Sequence, residues 1–189
     1  MRRLARKERC VSWATNPAYL FNGGGLLLNN ELEKIFDDAF CDVTKKLVKL
    51  ELQKVCDDEE KRELLLKEGY REVIETHGYM NARIVCWFSD ELFHYIIDMM
   101  NMGETPSEEE IPLFLNEYIN ITCGYAVSKL NNLSGHSSRL SVPAFYQGNE
   151  GLEEKGMLQD GMYLAYRTKM GQLHIFMSYS FKGEQEEVV

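Results

Sequence analysis

The chain has 189 residues, 44% of them hydrophobic and 27% charged, which suits one globular domain with short extensions. A domain of about this size buries about 70% of its unfolded surface, so its core needs no disulfide staples. Asp and Glu number 30 against 21 Lys and Arg, and the net charge of −9 argues against a nucleic-acid binder while leaving open docking onto a basic patch of a partner.

Residues 1–29 form an expected N-terminal extension, poorly ordered by composition. Arg2, Arg3, Arg6, Lys7 and Arg9 make its start basic, but no apolar stretch of the kind a signal peptide needs follows. Gly23–Gly25 is not followed by G-K-[ST], so it is no phosphate loop. Contact with a membrane or partner stays open as a second use. The domain proper is expected over 30–183, opening at Asn29 or Asn30, either of which can cap a helix. Leu32, Ile35, Phe36, Ala39, Phe40, Val43, Leu47 and Leu50 keep helical spacing and predict a helix to residue 55. The charge run 57–63 ends or extends it.

Segments 69–77 and 80–88 are rich in strand formers and broken by Gly78, which predicts a hairpin. Ser89 is placed to cap a helix carrying Leu92, Phe93, Ile96, Ile97 and Met100. Residues 101–110 read as a turn into a second helix, capped at Ser107 or Ile111, with Pro112 in its first turn. A short strand over 139–142 ends at Pro143. After Gly148 a polar loop leads to strands 162–168 and 172–181, and residues 184–189 make an acidic tail. This order predicts an α+β domain, an antiparallel-rich sheet with two or three long helices packed on one face.

Five cysteines without C-x-x-C spacing fit a reducing, cytoplasmic setting, and Cys41, Cys86 and Cys123 sit in apolar runs that suggest buried thiols. The four histidines show no metal-ligand spacing, so no metal site is expected. No apolar run approaches the roughly 18 residues of a membrane span, and no membrane partner is expected.

The helix over 112–133 holds the candidate site. Leu115, Ile119, Cys123, Ala126, Leu130 and Leu133 recur every three or four residues as an apolar seam. Glu117, Asn120 and Gly124 fall on nearly the opposite side. Three residues apart, Glu117 and Asn120 should hold their β-carbons about 5–6 Å from each other. Gly124 costs about 1 kcal/mol of helix propensity against alanine and leaves space beside them. A Glu and an Asn on a polar helix face are ordinarily just solvated surface; their wider spacing says more.

Glu-x-x-Asn, then twenty-two residues (121 to 142), then Pro143, with Gly124 and a strand–Pro–aromatic–Gly ending, resembles the CheC/CheX family of chemotaxis phosphatases. A single such motif is closer to CheX than to CheC. The pattern departs at Leu113, where the family often has Asp or Ser, and at Asn81–Arg83, where it often has a glycine. The resemblance implies a phosphatase that hydrolyses the aspartyl phosphate of a phosphorylated CheY-like response regulator, and a homodimer. It implies no cofactor of the chain's own, since the Mg²⁺ belongs to the regulator. Asn120 would position the attacking water and Glu117 would bind the regulator's lysine. Gly124 and Pro143 would leave room and shape the loop behind, although simple strand termination explains Pro143 equally well. A non-catalytic regulator-binding relative and a flagellar-switch-like interaction module remain as alternatives.

Overall fold

Helix α1 (Asn29–Val48) opens the described part of the chain, buries Leu32, Ile35, Phe36, Ala39 and Phe40, and stops earlier than the periodicity suggests. Lys49 takes φ 55, a left-handed position that ends helices. Leu50 then drops into the core at 1% exposure, and the chain extends into β1 (Gln53–Lys54), which pairs with the edge of β6 (Met162–Thr168). The structure, a computed structural model, describes residues 29–55, 69–148 and 161–182. The expected extension apart from Asn29, the 57–63 charge run, the polar loop after Gly148 and the acidic tail lie outside those residues.

The hairpin forms as expected from β2 (Tyr70–Gly78) and β3 (Met80–Phe88), in register from Tyr70↔Phe88 to Thr76↔Ala82. Its turn depends on Gly78, which sits at φ 128 with the Ser137 carbonyl oxygen only 2.4 Å from where a β-carbon would go. Gly78→Ala is therefore expected to lower stability by about 1–3 kcal/mol, read as a shifted denaturation midpoint. An unshifted midpoint would mean that the turn relaxes freely.

Helix α2 (Asp90–Met100) follows. Ser89 holds the N-cap position, yet its side chain makes no cap; its hydroxyl accepts the Gln172 backbone N–H at 3.1 Å and ties the helix start to β7 (Gly171–Phe181). Helix α3 (Ile111–Ser134) has Glu110 at its N-cap, neither Ser107 nor Ile111, because Ser107 and Glu110 close a separate turn through Glu110 Oε2. It ends at Gly135, left-handed with φ 71.

The strand expected over 139–142 is β4 (Ser138–Leu140), and a further strand, β5 (Ala144–Gln147), follows it. Both pair with β2, β4 along Thr76–Gly78 and β5 along Tyr70–Val73. Pro143 lies in the gap between them, where its missing N–H costs no ladder bond. It interrupts an edge rather than ending it.

The strands make one seven-stranded antiparallel sheet, β1-β6-β7-β3-β2-β4, with β5 also on β2. The three helices among the described residues cover one face, as expected. Phe36, Phe40, Phe93, Leu115 and Ile119 meet Ile74, Ile84, Phe88, Leu164 and Ile175 there in the main core. Trp87, Tyr163, Ala165 and Phe176 form a smaller buried cluster on the opposite face. No helix among the described residues is long and apolar enough to cross a membrane.

Candidate functional site

Helix α3 turns its apolar side inward as the spacing requires. Leu115, Ile119, Cys123, Ala126 and Leu130 are fully buried, joined by Tyr118. Leu133, expected to close that seam, is instead 60% exposed, since it lies in the last turn where neighbouring elements no longer cover the helix.

Several polar contacts hold the helix in place. Thr44 of α1 and the Tyr118 hydroxyl meet at 2.6 Å, and burial holds the Tyr118 phenol well above its usual pKa. Lys129 reaches Asp38 of α1 at 2.8 Å. Asn131 exchanges two hydrogen bonds with the Ser138 backbone, donating to its carbonyl and accepting its N–H, which fixes β4 to the helix. The outer face therefore sits on a scaffold anchored from two sides.

On that outer face Leu113, Glu117, Asn120 and Gly124 share an arc of about 60° at 100° per residue, spread along about 17 Å of axis. Glu117 and Asn120 are both exposed, side by side as expected. Among the described residues neither side chain has a hydrogen bond or ion pair. Gly124 is half-buried, and a β-carbon there would meet Leu140 Cδ1 at 3.8 Å, ordinary contact distance. Sterics thus permit alanine at 124, and what the glycine adds is space over the β4 side of the pair. Pro143 is half-buried in the β4–β5 gap, beside Val142 at 85% exposure. Leu113 at 62% and Ile121 at 36% are also exposed, so the polar pair has apolar neighbours along the helix.

One contact behind this face was not legible in the sequence. Glu72 of β2 is fully buried on the helix-facing side of the sheet, and burial pushes its carboxyl up to about 8. With the Asn116 amide nitrogen turned toward it, that nitrogen lies 2.9 Å from both Oε1 and Oε2 of Glu72. Asn116 immediately precedes Glu117 and is half-buried on the flank of α3. A signal did exist: Glu72 falls in the inward phase of the hairpin between Tyr70 and Ile74, where a carboxyl is out of place.

Of the expected buried thiols, Cys86 and Cys123 are fully buried and Cys41 only partly so. Burial and the nearby Glu72 push Cys123 up to about 12, so it is no nucleophile. Among the described residues, no group of three or more His, Cys, Asp or Glu could hold a metal ion.

Residues 71–163 match the family described as "Chemotaxis phosphatase CheX". No curated protein matches the chain in sequence. Solved structures do resemble it. A chemotaxis protein CheX from Desulfovibrio desulfuricans is 15% identical, with 79% of this chain and 99% of that one covered and a TM-score of 0.65. Chemotaxis protein CheX from Vibrio vulnificus is 19% identical over 79% and 97%, with the same TM-score of 0.65. A CheX–CheY–BeF₃–Mg²⁺ complex from Borrelia burgdorferi matches at 16% identity over 77% and 96%, with a TM-score of 0.57. At these identities the likeness is one of fold.

Proposed function

We propose, on the premise that residues 71–163 and the fold make this chain a CheX-family protein, that it hydrolyses the aspartyl phosphate of a phosphorylated CheY-like response regulator. The observation that carries this reading is the Glu117–Asn120 pair, exposed and unengaged among the described residues on a helix anchored from two sides. The Borrelia relative, captured with CheY, BeF₃ and Mg²⁺, supports the partner class.

The chemistry asked of the chain is modest. An acyl phosphate is already reactive, and in phosphoryl transfer most of the acceleration comes from positioning and charge stabilisation. The Mg²⁺ that neutralises the phosphoryl oxygens comes with the regulator, and the chain contributes no cofactor. Asn120 holds the attacking water in line with phosphorus. Its amide oxygen accepts a hydrogen bond from the water, carries no charge to repel the phosphoryl group, and does not titrate.

Glu117 takes the regulator's lysine in a charge-assisted hydrogen bond and sets the register of docking. A general-base role suits it poorly, because a carboxylate beside a phosphoryl dianion is repelled and one reaching the lysine is already committed. Leu113, where the family often has Asp or Ser, gives this chain an exposed apolar contact one turn from Glu117. Gly124 keeps the partner's approach to Asn120 open.

The test is phosphate release from phosphorylated regulator with and without the protein. The wild-type chain is expected to accelerate it, and Glu117→Lys to weaken docking about 30-fold or more by setting two cations together, with acceleration lost in parallel. Turnover unchanged in Glu117→Lys would remove that residue from the site. Tight docking of wild-type protein without acceleration would make the chain a non-catalytic binder.

A further inference from the structure

Glu72 and Asn116 take no part in the face just described, yet they stand directly behind it. Asn116 is four residues before Asn120, so the two β-carbons lie about 5–6 Å apart on adjacent turns. Glu72 sits on β2 opposite Cys86 of β3 and Phe145 of β5. Among the described residues, the titratable groups around its carboxyl are the buried thiols of Cys86 and Cys123, which supply no counter-charge. A leucine would fill such a position more cheaply, because a buried carboxyl, neutral or charged, costs free energy unless it is hydrogen-bonded. A hydrogen bond to Asn116 offsets part of that cost, and it ties the carboxyl to the helix that carries the site.

Resting on the phosphatase reading, we propose that Glu72 and Asn116 are positioning residues: the buried carboxyl fixes the rotation of α3 about its axis, and so the direction in which Asn120 presents its amide. Asn116 lies on the edge between the buried and exposed sides of the helix, where a lateral tether resists rolling best. The apolar seam alone is non-directional and resists rolling weakly. A roll of about 10° at a side-chain radius of about 6 Å moves the amide by about 1 Å, and about 1 Å of misplacement can cost about 100-fold in rate. An amide is also the group whose contact survives either protonation state of its partner. Ionised, Glu72 accepts from Asn116 Nδ2; protonated, it donates to Oδ1 of the amide turned over, across the same 2.9 Å.

The decisive variant is full-length Glu72→Leu/Asn116→Leu, which removes both polar groups and orphans neither. It is expected to melt no lower than wild type, with kcat for phosphate release down about tenfold or more and KM for the phosphorylated regulator within about twofold. Glu72→Gln, which keeps an amide–amide hydrogen bond to Asn116, should hold kcat within about threefold of wild type. A double variant with wild-type kcat, or a Glu72→Gln protein as impaired as the double, overturns the proposal. If the double variant does not fold, Asn116→Ala is read in the same way. Wild-type protein that fails to accelerate release sinks the phosphatase reading instead. Amide hydrogen exchange along 113–124 then decides the tether: about tenfold faster in the double variant if it holds, unchanged if it does not.

Discussion

Replacing Asn120 with alanine is expected to slow catalysed phosphate release by about 100-fold or more while leaving docking to the phosphorylated regulator within about threefold. The asymmetry follows from what the side chain touches. Among the described residues Asn120 makes no hydrogen bond and is exposed, so its removal breaks nothing in the fold. Alanine is the better helix former by about half a kcal/mol, so the melting temperature should hold or rise slightly. The one thing lost is an acceptor oxygen at the position where a water must be held. Asn120→Asp sharpens the test, because it keeps the shape and adds a charge. A carboxylate there should be as slow as alanine, since it faces the phosphoryl dianion. Single-turnover phosphate release, with affinity measured separately against a non-hydrolysable phosphoryl mimic, separates the two effects. Full activity in either variant would remove the water-positioning role from Asn120.

The parts of this molecule that were legible in the sequence are those fixed by local periodicity. Helix α3 shows both faces because its buried residues recur every three or four positions and its polar pair falls between them. The β2–β3 hairpin is legible because strand formers flank a glycine whose positive φ the turn requires. What stayed hidden is set by distant partners. Gln53–Lys54 is a strand only because β6 offers an open edge, and Ala144–Gln147 only because β2 has free length beyond β4. Ser89 has the right residue type for a cap, but the backbone of Gln172, 83 residues away, takes its hydroxyl. The helix end at Val48 depends on the left-handed turn of Lys49, which no residue preference announces. The Glu72–Asn116 contact joins a strand to a helix across the core, so no spacing rule brings them together.

Burial of Glu72 also sets the largest expected effect of pH on stability between pH 4.5 and pH 8. In the unfolded chain the Glu72 carboxyl titrates near its ordinary 4.5; in the folded protein, burial pushes it up to about 8. Between those values the folded state binds more protons than the unfolded one, so stability must fall as pH rises from about 4.5 to about 8. The rise from 4.5 to about 8 sets a change on the order of 5 kcal/mol. Asn116 turning its nitrogen toward the ionised carboxylate offsets part of that cost. The buried thiols do not blur the window, because Cys86 and Cys123 have ordinary values near 9.0 and are pushed higher on folding. Glu72→Gln removes the titration and keeps a hydrogen bond to Asn116. Urea unfolding of both proteins at pH 5 and pH 8 should show wild type losing several kcal/mol between the two and the variant losing far less. The variant should be the more stable protein at pH 8. Parallel behaviour of the two would mean that Glu72 ionises in the folded chain as easily as in water, and that the carboxyl is not sealed behind α3.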